Sequence, residues 1–294
     1  MEITKAIIPI GGLATRFLPL SKVVTKEFWP LAEKPLLQYA VEELKNSGIT
    51  DIVFIVNSRN KEQVAEYFSS APALEKILEE QKKEDLLESV KKLEKLSQGL
   101  SFSFVTQTKP QGDGNAVLLA KKYVGDNACM VVYPDDVMVS NVPAALQLVK
   151  TFKTAQKPVL GLVQLPQEKL TSYGVVGAEK IATRLYKIKK LVEKPQSVEA
   201  APSDLVSVGR RVLTPEVYDY LKKAKPNKKG EVVLAEVLGE MAKDGKILYG
   251  YELEGTWLEC GDMKNWLYSF ARSALRHPLY GKDIQKHLKQ ERII

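Results

Sequence analysis

Histidine is almost missing from this chain: only His277 and His287 occur, both close to its C-terminal end. A histidine-based acid/base or nucleophile-activating scheme is therefore poorly supplied, and any chemistry must lean on lysine, arginine, carboxylates or a metal. Cysteine is equally scarce. Cys129 and Cys260 lie far apart and form no CxxC pair, so reduced thiols in a cytoplasmic protein are the expectation. No apolar run approaches the roughly 20 residues that span a bilayer, so no membrane partner is expected. The opening stretch "MEITKAIIPI" has neither a basic n-region nor a long apolar run before a small-residue cleavage site, so no secretory signal is expected. Internal repeats, low-complexity segments and a Pro/Gly/Ser-rich linker are absent as well. One body is expected rather than two independent domains.

What remains is ordinary globular material. The 294 residues are 45% hydrophobic and 27% charged, which argues against disorder. The formal charge of +7 invites a nucleic-acid partner. Lysines and acids are interleaved, however, as in "EKILEEQKKEDLLESVKKLEKL", the pattern of a solvated helix with opposite charges three or four residues apart. A nucleic-acid surface needs a clustered basic face, so none is expected.

The order of elements is informative. "KAIIPI", "DIVFIVN", "LSFSFVTQ" and "ACMVVYPDD" read as buried strands. Helical patterns separate them, in "PLLQYAVEELKNSG", in "KEQVAEYFSS", in a charged helix or helix pair from Ala73 to Leu96, and in "NAVLLAKKYV". This alternation predicts an α/β fold with a parallel, doubly wound sheet, whose ligands bind beyond the carboxyl ends of the strands. Gly11-Gly12, Asn57-Ser58, Gln107 and Asp135-Asp136 all stand at such ends. In the later half, "KPVLGLVQLP", "YGVVGAEK", "RLYKIKKLVEKP" and "LVSVGRRVL" read as strands. Helices follow through "TPEVYDYLKKA" and "VVLAEVLGEMAKDG". "ILYGYEL" and "GTWLECG" are expected to form a late strand pair, and a final helix begins near Asp262.

The first strand runs into "GGLATRFLPLSKVVTKEFWP". Paired glycines there let backbone N–H groups approach a phosphate closely. Rossmann and P-loop proteins both use that device, but this loop has neither GxGxxG nor a closing GKS/GKT. It has Arg16 and Lys26 between prolines instead. On these residues alone, a rigid surface turn with solvated cations remains open.

The loop also resembles the signature of bacterial UTP–glucose-1-phosphate uridylyltransferases, within the sugar nucleotidyltransferase superfamily. "GGLATRFLP" and "KEFWPL" match it, with Ala14 in place of the family's second glycine. The resemblance recurs in family order along nearly the whole chain. It runs through "QTKPQGDGNAV", "YPDD", "SYGVV", "VEKP", "VGRRVL", Gly230-Glu231 and "ECG". It implies a Rossmann-like, glycosyltransferase-A-like mixed sheet with an inserted sugar-binding lobe. The corresponding boundaries are a nucleotide-binding half at 1–140, a sugar-phosphate-binding half at 141–262 and a C-terminal helical tail at 263–294. The implied reaction is uridylyl transfer from UTP to glucose 1-phosphate, giving UDP-glucose and pyrophosphate, with a homo-oligomer as the expected assembly.

Such a reaction crowds negative charges together, so positioning and neutralisation dominate. The resemblance assigns Arg16 and Lys26 to the triphosphate as catalytic groups. Gly11, Gly12, Gln107 and Gly112 fall to the nucleotide. Tyr173, Gly174, Glu193, Lys194, Val208 and Gly209 fall to the sugar phosphate. Asp135 is the implied ligand of Mg2+, an oxygen-seeking cation. Glu259 stands where the family has a second metal-binding aspartate, and is expected to bind the metal directly or through water. Asp113, Asn115, Val233 and Ala235 also depart from the family pattern and bear on substrate choice. Two alternatives stay open: a sister enzyme using dTTP or another sugar 1-phosphate, and a weakly active regulatory paralogue that binds nucleotide sugars. Intact Arg16, Lys26, Asp135 and Lys194 favour catalysis.

Overall fold

The short β-branched runs become strands of one nine-stranded sheet in the computed structural model, which describes residues 2–293. After β1 (Lys5–Pro9) the basic loop leads to a small ribbon, β2 (Pro30–Leu31) and β3 (Lys34–Pro35), and to helix α1 (Leu36–Lys45). Next come β4 (Asp51–Val56), α2 (Lys61–Tyr67), the charged pair α3 (Pro72–Glu80) and α4 (Glu84–Ser97), and β5 (Ser101–Thr106). Helices α5 (Asp113–Leu119) and α6 (Lys121–Val124) precede β6 (Cys129–Val132). Then follow β7 (Asp136–Val139), α7 (Ala144–Ala155), β8 (Val159–Gln164), β9 (Gly174–Ala182), β10 (Leu185–Glu193) and β11 (Leu205–Leu213). The chain closes with α8 (Pro215–Lys223), α9 (Leu234–Lys243), β12 (Tyr249–Glu252), β13 (Thr256–Glu259), α10 (Met263–Leu275) and α11 (Gly281–Gln290). No described helix is long and apolar enough to cross a membrane.

The sheet order is β5-β4-β1-β6-β11-β8-β12-β10-β9. Its first four strands are parallel, as the strand–helix alternation requires. β11 then runs antiparallel to β6 and β8, so the later half extends the same sheet with mixed pairing. Apolar faces of α1, α2 and α7 cover one side of the sheet, and those of α5, α8 and α9 cover the other. Covered on both faces, the central strands β1, β4 and β6 are near-continuous apolar runs rather than alternating ones.

Two expectations need correcting. The late strands do not pair with each other: β12 lies between β8 and β10, whereas β13 pairs with β7. Long-range hydrogen bonds decide this. Leu253 N donates to Leu162 O, and Glu254 N donates to Gln147 Oε1 at 2.8 Å, so the chain leaves β12 toward α7 instead of turning back. The two acids also do not end the buried strand, which stops at Val132. Asp135 occupies the turn and Asp136 opens β7.

One buried ion pair ties three elements together behind that turn. Arg210 of β11 meets Glu43 of α1 in a two-pronged contact, Nε to Oε1 at 2.9 Å and Nη2 to Oε2 at 2.8 Å. Glu43 Oε1 also accepts from Ala145 N at the start of α7, and Arg210 Nη1 donates to the carbonyls of Tyr133 and Gly209. Nearly every polar atom of the pair is thereby satisfied, which a buried ion pair requires. Removing one partner strands the other. Glu43→Ala is expected to lower the unfolding free energy by about 3–5 kcal/mol, and Glu43→Leu combined with Arg210→Met to lose much less. Urea unfolding measures both, and equal losses would mean that charge burial is not the issue here.

Candidate active site

The carboxyl ends of β1, β4 and β6 open on a cleft, as parallel strands do. At its back, Gly11 is closely packed: a Cβ there would lie 3.2 Å from Gln107 Oε1 and 3.3 Å from Val56 O, so those neighbours would have to give way. Asn57 Nδ2 donates to Gly11 O at 3.3 Å. Ala14 has φ +50°, the left-handed region that favours glycine, so the departure noted in the sequence sits where backbone strain is borne.

Lys26 and Asp135 face each other at 2.6 Å, Nζ to Oδ2. Burial alone would lower the lysine, but Asp135 and Glu27 outweigh it and raise Lys26 to about 12. Burial likewise pushes Asp135 up, and Lys26 more than reverses that, leaving the carboxyl below its usual range. Both shifts agree on a locked ion pair. Asp136 does different work. Its Oδ2 accepts from Gly209 N at 2.7 Å and its Oδ1 from Trp257 Nε1 at 2.9 Å, pinning β11 and β13 to the turn. Burial and the Asp135 charge raise it to about 6.

Glu259 accepts a hydrogen bond from the Tyr173 hydroxyl. Burial raises its carboxyl to about 7 against that hydrogen bond, and Asp136, Asp262 and Asp135 push the same way. Gly261 stands between the acids: a Cβ on it would be 3.7 Å from both Asp135 Oδ2 and Glu259 Oε1, and 3.9 Å from Arg16 Nη1. No group of three or more metal-ligating side chains gathers among the described residues. Two carboxylates bordering one gap nevertheless suit Mg2+, a hard cation that takes one or two protein carboxylates and draws its remaining oxygens from water and phosphate.

Asp135, Glu259 and Arg16 line a cavity of about 1010 Å³. Tyr173, Gly174, Glu193 and Lys194 line it too, with Tyr173 hydrogen-bonded to Glu259, and Gly112 and Gly209 complete the lining between them. Lys194 has φ +45°, its N donates to Tyr173 O at 3.0 Å, and its Nζ is 3.5 Å from Glu193 Oε1. Such strain in a residue at a cleft is a common mark of function. The remaining expected residues lie elsewhere. Gly11 and Lys26 do not line the cavity, though Lys26 touches Asp135, which does, and Gly12 borders a smaller pocket with Ala14 and Asn57. Val208 is buried in the core on the opposite face of β11. Gln107 is buried, and its Nε2 donates to Gly112 O and Asn115 Oδ1. It shapes the Gly112 turn, where φ is +92° and a Cβ would collide with Val232 O.

The sequence reading missed several lining residues, among them Arg211, Ser207 and Tyr133. Arg211 and Ser207 share the floor strand with Gly209, and Tyr133 lies beneath Arg211. The available signal was "VGRRVL" itself, because two adjacent arginines in a strand must point to opposite faces.

The chain resembles known proteins along nearly its whole length. The profile of the family described as Nucleotidyl transferase matches residues 5–274. The chain is 35% identical over 289 residues to a UTP–glucose-1-phosphate uridylyltransferase of Staphylococcus saprophyticus, covering 98% of this chain and 99% of that one. A UTP-bound structure from Acinetobacter baumannii superposes with a TM-score of 0.86 at 30% identity, over 97% of this chain and 98% of that one. A UDP-glucose pyrophosphorylase solved with UDP-glucose gives 0.82 at 29% identity, over 92% and 98%.

Glu27, beside Lys26 in the basic loop, yields a pH prediction. Burial raises its carboxyl from 4.5 to about 7, opposed by Lys26 at 4.0 Å. Between those values the native state binds a proton that the unfolded state has lost. Its contribution to stability is therefore fully present below about pH 4.5 and is lost as pH rises through about 7. Glu27→Gln should become the more stable protein, relative to the unaltered chain, as pH rises across that window. Urea midpoints at pH 4.5, 6 and 8 test this, and a constant difference would place the titration elsewhere.

Proposed function

The chain belongs to the nucleotidyl transferase family, and from that premise we propose that it transfers a uridylyl group from UTP to glucose 1-phosphate. The products are UDP-glucose and pyrophosphate. A phosphate oxygen of the sugar phosphate forms the new bond to the α-phosphorus, and the bond from that phosphorus to the β-phosphate bridge breaks. The observation that carries this reading is one cavity lined by Arg16, Asp135 and Glu259 together with Tyr173-Gly174 and Glu193-Lys194. Relatives that bear the activity in their names match end to end, which supports it.

In this reading Arg16 and Lys26 hold the triphosphate and stabilise the departing pyrophosphate. Lys26 also keeps Asp135 ionised by its ion pair. Lys194 holds the sugar phosphate, and Glu193 accepts from sugar hydroxyls. The Tyr173 hydroxyl orients Glu259. The work is positioning and charge neutralisation rather than proton transfer, consistent with a site free of histidine. Asp135 and Glu259 are the carboxylates that would hold Mg2+, which when bound neutralises charge on the phosphates. Gln107 acts on the base through the Gly112 turn that it fixes, so uracil is read by backbone groups there.

Pyrophosphate release, measured with each nucleoside triphosphate against several sugar 1-phosphates, should be fastest with UTP and glucose 1-phosphate. Faster turnover of dTTP, or none with any pair, would contradict the proposal. Lys194→Ala should raise the KM for glucose 1-phosphate by about 10- to 100-fold, as for a lost charge-assisted hydrogen bond. UTP affinity by calorimetry should change far less, and equal losses for both ligands would remove the role given to this lysine.

A further inference from the structure

Every residue of β11 is buried, yet the strand carries two adjacent arginines. Glu43 accounts for Arg210. Arg211 points to the other face, with 10% of its side chain exposed, and lines the cavity floor. Its guanidinium carbon stands 5.4 Å from the centroid of the Tyr133 ring, a cation–π support. Asp113 Oδ2 is 4.0 Å from Arg211 Nη1, beyond hydrogen-bond reach. The Asp113 carboxylate is already engaged, accepting from Leu234 N and from the Tyr133 hydroxyl. Arg211 Nε and Nη1 thus have no hydrogen-bond partner among the described residues, and neither has Ser207 Oγ on the same strand.

Buried donors left unmet in this way call for a partner. Ser207 pairs in register with Gly174, which places it beside the wall assigned to the sugar. Arg211 lies two residues past Gly209, roughly 6–7 Å further along the strand and away from Gly174. Across the cavity, the start of α9 offers Val233 and Ala235, which cannot hydrogen-bond a sugar through their side chains.

We infer that Ser207 and Arg211 form a subsite for oxygen substituents of the sugar ring. Arg211 selects the sugar 1-phosphate by donating to an acceptor oxygen, hydroxyl or carboxylate, on the ring edge away from Glu193. This inference rests on the uridylyltransferase reading. Asp113 and Tyr133 hold the guanidinium in place, so little ordering is left for the moment of binding.

The test is steady-state turnover with UTP and a panel of sugar phosphates. The panel is glucose 1-phosphate, its 2-, 3-, 4- and 6-deoxy analogues, and glucuronic acid 1-phosphate. On the unaltered chain one deoxy analogue should lose about 10- to 100-fold in kcat/KM against glucose 1-phosphate. On Arg211→Gln that gap should close, with the KM for UTP held within about twofold. A carboxylate-reading subsite would instead prefer glucuronic acid 1-phosphate, and the preference would vanish in the same variant. Should Arg211→Gln fail to fold, Arg211→Lys is read in the same way, since it keeps the charge over Tyr133 but loses the planar fork. Normal turnover with unchanged ratios in the variant would overturn the subsite alone. Failure of the unaltered chain to use any sugar 1-phosphate with UTP would overturn the uridylyltransferase reading and the subsite with it.

Discussion

The buried ion pair between Arg210 and Glu43 is the constraint on which the site depends. It joins helix α1, strand β11 and the first turn of α7, and it holds the Tyr133 carbonyl from behind. That carbonyl begins the turn carrying Asp135 and Asp136. Gly209, next to Arg210, has no room for a side chain because Asp136 and Tyr133 press against it, with a Cβ reaching Tyr133 Cβ at 2.8 Å. The cavity floor and the acidic turn are therefore placed by one buried contact, and small errors in either would be felt at both.

The chemistry divides across that floor. On one side, Lys26 and Arg16 supply positive charge around Asp135, with Glu259 beyond Gly261. On the other, Glu193 ends β10 and Lys194 follows it, next to Tyr173, whose hydroxyl reaches back to Glu259. Burial raises Asp136 and Glu259, and the crowding of acids around them adds to the rise. Lys26 relieves it at Asp135 only. A divalent cation with phosphates attached would relieve the rest, which is why an acidic gap of this kind suits a nucleotide and its metal. Arg211 supplies donors where the start of α9 is apolar, so the floor and the opposite wall impose different demands on the sugar.

Much of the fold was legible in the sequence. The buried runs "KAIIPI", "DIVFIVN" and "ACMVVYPDD" are strands, and the helices between them dictate parallel pairing. Gly112 occupies a position that only glycine fits, and Gly11 one where a side chain would crowd Gln107 and Val56. The partner of β13 was not legible, because it depends on Gln147 binding Glu254 more than a hundred residues away. The division of labour within "DD" was equally hidden: Asp136 is recognisable as a structural clamp only once Gly209 and Trp257 stand beside it. Gln107 matched a base-reading glutamine by pattern, and the structure adds that its Nε2 donates within the loop, to Gly112 O and Asn115 Oδ1. Arg211 was passed over because an arginine in a strand says nothing of its partners until the Asp113 contact proves too long.

The central claim is that UTP and the sugar phosphate meet over Gly209 in this one cavity. A crystal structure of the chain with UDP-glucose tests it most directly. The account places the diphosphate toward Arg16 and Lys26 and the hexose against Gly174, Glu193 and Gly209. A nucleotide sugar bound elsewhere, or with its hexose turned away from β10 and β11, would contradict it.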